Sequence, residues 1–168
     1  PRGSSGGPGS TTYEHLKVAL DDEDTAALLH KACERLARAH APVDTTRAFM
    51  QANLTALVKK NGKVRGIATG TSLRRLVARC LAKQYGPAIE EACAPFQYAL
   101  STRAGTDCVG HLLRAATDLG SNSTILSIDG VGAYDHIRRA TVLGKLMSLP
   151  RAAPLLPWVR LSYAQPST

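Results

Sequence analysis

The chain has 168 residues, 44% of them hydrophobic and 5% aromatic, which gives room for one domain, or part of a larger one, with a real core. Lysine and arginine outnumber aspartate and glutamate 21 to 13, a formal net charge of +8, which favours a polyanionic partner, nucleic acid before membrane, besides serving solubility. Cys33, Cys80, Cys93 and Cys108 form no C-x-x-C pair, which argues against a zinc knuckle or a disulfide framework and for a reducing, intracellular setting. No apolar run is long enough to cross a bilayer, and the chain opens without a methionine or a signal-peptide core, so it reads as a piece of something longer.

Residues 1–12 are rich in glycine, serine and proline and predict a disordered tail that adds nothing to the core. Residues 13–53 form a helical segment, in which Asp21, Asp22, Glu23 and Asp24 suit the first turn of a helix carrying Ala27, Leu28, Cys33, Leu36 and Ala39. That position makes the paired aspartates helix-start residues and not a metal site. Pro42 ends the helix, and residues 44–52 predict a polar connector or a turn of helix.

Residues 54–69 read as two strands around Asn61-Gly62, a dipeptide that supplies the positive φ angles of a two-residue type I′ hairpin turn. Lys59, Lys60, Lys63 and Arg65 crowd the tip. They suit either phosphate binding or the protection of an edge hairpin from aggregation. Thr71 or Ser72 then caps a helix whose apolar face is Leu73, Leu76, Val77, Cys80 and Leu81, with Arg74, Arg75, Arg79 and Lys83 on other faces and Gly86-Pro87 as its stop. Residues 59–83 hold eight basic residues and no acidic one, a more specific nucleic-acid signal than the net charge. A short helix over 87–93 and a short strand over 96–101 follow, then a helix capped by Thr106 or Asp107 that buries Cys108, Val109, Leu112, Leu113 and Ala116 and runs to Leu119.

Residues 124–137, TILSIDGVGAYDHI, carry the chemistry. Ile125, Leu126 and Ile128 predict a buried strand that delivers Asp129 and stops at Gly130 and Gly132, with bare backbone beside the carboxylate. A carboxylate so placed suits a hard cation such as Mg²⁺, and equally caps the next helix. An amphipathic helix to Leu149 and a partial one from Ala153 complete the chain.

The order of basic hairpin, basic helix, FQYALSTRAGTD and SIDGVGAYD resembles the reverse transcriptases of non-LTR (LINE-type) retrotransposons, over residues 54–163. The resemblance implies a fingers-like region over 54–123 and the start of a palm over 124–168. Lys59 or Lys60 and Arg65 would contact the incoming deoxynucleoside triphosphate. Gln97, Lys63, Arg74, Arg75 and Arg79 would lie along the RNA template, opposite a DNA primer. Asp129 would be the catalytic metal-binding aspartate, the Gly130 carbonyl a backbone ligand, and Tyr134 the aromatic that crowds the sugar 2′ position. Two Mg²⁺ ions would serve the complete enzyme, which adds nucleotides by in-line phosphoryl transfer in the cytoplasm and nucleus. Gly66 stands where the family has proline, and Ala99 and Leu100 replace the glycine and aromatic of its Gln-x-Gly-Phe segment. Nothing between His136 and Thr168 resembles the family's paired-aspartate hairpin, so the chain is expected to be inactive alone. A non-catalytic RNA-binding module on residues 59–83 is the other reading. The architecture expected is α+β and helix-rich, a fingers hairpin with helices and the first strand of an incomplete palm sheet.

Overall fold

A computed structural model describes residues 5–100, 102–120, 122, 124–130, 132 and 136–163. It is α+β, with helices dominant and a two-stranded antiparallel sheet. In chain order the elements are α1 (Tyr13–Val18), α2 (Glu23–Ala37), α3 (Val43–Met50), β1 (Ala52–Val58), β2 (Val64–Gly70), α4 (Ser72–Cys93), α5 (Gly105–Leu119), α6 (Arg139–Met147), a 3-10 turn (Ala153–Leu155) and α7 (Leu156–Tyr163).

Asp22 caps α2, its carboxylate accepting from the Thr25 amide at 2.8 Å, so the acidic cluster acts as a helix start. The segment expected as a polar connector or a turn of helix is helical, as α3. The hairpin is present and slightly longer than the reading from sequence, with Ala52 opposite Gly70 and Val58 opposite Val64. Its tip differs from the expected type I′ turn. Gly62 alone takes a positive φ, +78°, and its amide donates to the Lys59 carbonyl at 2.9 Å, while the Lys59 amide donates to the Lys63 carbonyl at 2.8 Å. Asn61, inside the turn that Lys59 and Gly62 close, stays out of the left-handed region, and its side-chain oxygen accepts from the Lys63 amide at 3.2 Å.

Helix α4 is the spine. Thr71 caps it, and it runs unbroken through Pro87, where a stop was expected. Proline removes one helical hydrogen bond and disfavours a helix interior by ~3 kcal/mol. Packing on both sides of Pro87 offsets this: Leu81, Tyr85 and Ile89, one helical stripe, lie against buried Leu146, Ala152 and Leu155. The N-terminal half of α4 contributes Val77 to a second cluster with Leu36 of α2 and Trp158 of α7. Leu81 and Val159 touch both clusters.

Away from this spine the burial expected from the sequence is not realised. Residues 96–100 form turns and bends and no strand, and Phe96 is exposed. Helix α5 forms, but its first residue follows Ala104 in the left-handed region and no side chain caps it. None of its residues is buried: Val109, Leu112 and Leu113 all remain exposed. The strand expected over 125–128 is absent, and Ile125, Leu126 and Ile128 are exposed. A strand needs a neighbour to satisfy its N–H and C=O groups, and the hairpin is the only sheet among the described residues. The helix expected after Asp135 begins at Arg139 and ends at Met147.

Residues 5–12, expected as a tail without core contacts, lie against the start of α4. Gly7 is buried, the Thr11 carbonyl accepts from the Ser72 hydroxyl, and the Ser5 carbonyl accepts from Arg75. Glycine composition hid this seat, since close backbone approach leaves no hydrophobic period to read.

Candidate nucleic-acid interface

The hairpin register sorts its side chains. Residues on one face are Ala52, Leu54, Ala56 and Val58 opposite Gly70, Ala68, Gly66 and Val64, a surface without a polar side chain. The other face carries Asn53, Thr55 and Leu57 opposite Thr69, Ile67 and Arg65. Lys59, Lys60 and Lys63 sit at the tip beyond both faces, and like Arg65 they are exposed. No described acidic side chain pairs with any of the four. Like charges so close repel one another in the absence of an anion, and among the described residues the tip is held by backbone bonds and Asn61 alone.

On α4, Arg75, Arg79 and Lys83 recur every fourth residue, which sets them on one side of the helix at steps of about 6 Å along its axis. Arg79 and Lys83 are exposed and face solvent. Arg75 is partly buried. Its guanidinium donates to the Ser72 hydroxyl at 3.0 Å and to the Ser5 carbonyl, and it lies 5.2 Å from the centroid of the Tyr13 ring. Arg74, off this stripe, donates to the Met50 carbonyl at 2.8 Å. Of the four cations on this helix, then, two are open to a ligand and two are engaged within the fold.

Gln97 is exposed, but its side-chain oxygen accepts from the Ala99 amide at 2.8 Å within its own turn. Asp129 and Gly130 are exposed, in a segment without regular structure. Tyr134 lies outside the described residues, as do Ala133 and Asp135. Among the described residues no group of three or more His, Cys, Asp or Glu side chains could hold a metal ion. A two-ion centre needs several carboxylates converging on rigid elements. Asp129 with a neighbouring carbonyl does not meet that requirement, and Asp22 is committed to its cap.

The arrangement can therefore bind a polyanion, and the described residues assemble no catalytic constellation. What sequence reasoning missed is the approach of residues 5–13 to Arg75; the one local hint is Ser72, a small hydroxyl residue at a helix start. No described helix is long and apolar enough to cross a membrane. No protein-family model matches the chain, and no curated protein or solved structure is detectably similar to it.

Proposed function

We propose that this chain is the nucleic-acid-gripping, fingers-like part of an RNA-directed DNA polymerase, whose catalytic centre needs carboxylates beyond those described. The observation that carries the reading is the run of eight cations without an acid over residues 59–83, of which the hairpin tip, Arg79 and Lys83 are exposed and without ion-pair partners among the described residues. The motif order of the sequence supports the polymerase part of the reading. In this reading Lys59, Lys60 and Arg65 hold the triphosphate of an incoming deoxynucleotide, and Lys63 and Arg79 follow the template backbone. Asp129 is one of several metal-binding carboxylates of the complete enzyme, and Mg²⁺ is not held by this chain alone.

The second reading, a non-catalytic RNA-binding module, is favoured by one observation: Asp129 is exposed and has no carboxylate cluster around it among the described residues. Both readings require RNA binding that weakens with salt. Replacing Lys63 and Arg79 with glutamine, two exposed cations that both readings place on the RNA backbone, is expected to lower the slope of log affinity against log salt by about 1.4, at ~0.7 for each single-strand phosphate no longer neutralised. An unchanged slope overturns both. A photoreactive deoxynucleoside triphosphate separates them, since the polymerase reading expects crosslinks to the hairpin and the module reading expects none. Templated primer extension by the chain alone, abolished by Asp129→Ala, would overturn the view that its catalytic centre is incomplete.

A further inference from the structure

The stripe Arg75, Arg79, Lys83 is open at one end and covered at the other. Arg79 and Lys83 face solvent, whereas residues 5–13 cross the first turn of α4 and close over Arg75. The segment is seated by the Ser72 hydroxyl on the Thr11 carbonyl, by the Arg75 guanidinium on the Ser5 carbonyl, and by the same guanidinium beside the Tyr13 ring. Gly7 makes the close approach possible. It is buried with φ +66°, and a Cβ there would run into the Gly70 carbonyl oxygen.

The segment satisfies Arg75 incompletely. Among the described residues Arg75 makes two hydrogen bonds, to Ser5 and to Ser72, both from one terminal nitrogen, and its buried Nε has no partner there. The segment offers the guanidinium a neutral carbonyl. A phosphodiester would offer two charged oxygens in the plane that the guanidinium fork matches, and hydrogen bonds of that kind are about twice as strong as neutral ones. A glycine-, serine- and proline-rich segment so lightly tied down is also among the first parts of a fold to open.

We infer that residues 5–13 are a displaceable strap, which covers the Arg75 end of the α4 stripe and yields it to the phosphate backbone of a single-stranded nucleic acid. The inference rests on the nucleic-acid reading above. The strap lowers the affinity of the resting chain, and a strand already held by Lys83 and Arg79 is gripped by a third cation when it lifts.

The test is the affinity of the full chain for a short single-stranded RNA, by fluorescence anisotropy at fixed salt. Gly7→Ala unseats the strap from its own side, and Ser72→Ala removes its anchor on α4. Each is expected to bind RNA about threefold to tenfold more tightly than the unmodified chain, the covering equilibrium being weakened by a lost hydrogen bond in Ser72→Ala and by a clash of similar cost in Gly7→Ala. Adding Arg75→Gln to Gly7→Ala should erase that gain; if the pair does not fold, Arg75→Lys, which keeps the charge and loses the fork, should remove more than half of it. Hydrogen exchange at residues 5–13 of the unmodified chain should speed up when RNA is added. Equal or weaker binding by both Gly7→Ala and Ser72→Ala, a gain that survives the loss of Arg75, or slower exchange of the segment with RNA overturns the strap. If the unmodified chain binds RNA with a slope set by Lys63 and Arg79 while the two variants bind no better, the strap alone falls. If neither the unmodified chain nor Gly7→Ala binds RNA, the nucleic-acid reading falls with it.

Discussion

Arg74 donates to the Met50 carbonyl at 2.8 Å, and in doing so the first turn of α4 holds the last turn of α3. The Thr71 hydroxyl reinforces the junction by donating to the Phe49 carbonyl at 3.4 Å. A residue read from sequence as a template contact thus has a structural task, and the two roles separate experimentally. Arg74→Ala is expected to lower stability by about 1–2 kcal/mol, at the low end for a bond from a charged donor because the group is partly solvated. It should change RNA affinity less than glutamine at Lys63 and Arg79 does. Urea unfolding followed by circular dichroism, beside binding at one salt concentration, checks both statements.

The core beneath that junction is narrow. Leu36 of α2, 3% exposed, meets Val77 of α4 and Trp158 of α7, and these few side chains join three helices. Leu36→Ala should destabilise the chain by ~2–5 kcal/mol, through reduced burial and the cavity left behind. Trp158 is the only tryptophan, so its fluorescence reports the loss directly. An unfolding midpoint unchanged by the substitution would show that this cluster does not organise the helices.

The start of α2 should be acid-sensitive. The Thr25 hydroxyl, and after it the Thr25 amide, hold the Asp22 carboxyl below the ordinary carboxylate range. A depressed folded value means that the unfolded chain takes up its proton first. The stabilisation from this cap is therefore present above about pH 4, the ordinary value for aspartate, and is lost as pH falls through the lower folded value. The Thr25 amide resonance should titrate with a midpoint below that of a free aspartate. Asp22→Asn, which keeps a capping oxygen without the charge, should abolish the titration and leave α2 formed.

Local chemistry was the legible part of this chain. Asp22 as a cap, the Asn-Gly hairpin, Thr71 ahead of a long helix and the acid-free stretch over residues 59–83 are short-range signals that the fold leaves intact. What did not carry over depends on distant partners. Ile125, Leu126 and Ile128 have β-type side chains, but a strand requires a neighbour, and none of the described residues supplies one. Pro87 reads as a stop until Leu81, Tyr85 and Ile89 are seen to pack on one cluster. For the candidate site the same division holds: which residues are cationic was plain, whereas the diversion of Arg74 and Arg75 into the fold was not.

At the hairpin tip Gly62 has φ +78° and open space around its Cα, so a side chain there meets no clash and only an unfavourable backbone. Gly62→Ala is expected to disfavour the turn by about 1 kcal/mol. The two-stranded ribbon should fray from Lys59 and Lys63 inward, faster amide exchange at Val58 and Val64 being the sign of it. RNA binding should weaken with it, because dispersed lysines no longer present one concentrated charge. Undiminished affinity with a frayed tip would assign the binding to α4.

Helix α5 leaves Val109, Leu112 and Leu113 exposed at 37%, 50% and 41%, spaced as one stripe, and Ile125 and Leu126 nearby in sequence are exposed at 50% and 79%. An exposed apolar stripe of the α5 kind promotes association between copies. Leu112→Lys puts a charge in the middle of the stripe without touching either buried cluster, since no residue of α5 belongs to them. It should shift sedimentation velocity profiles toward the monomer and leave the melting temperature within about 1–2 °C, because surface substitutions of this kind change stability by no more than ~0.5 kcal/mol. A large fall in melting temperature would instead mean that the α5 face is packed against the rest of the chain in solution.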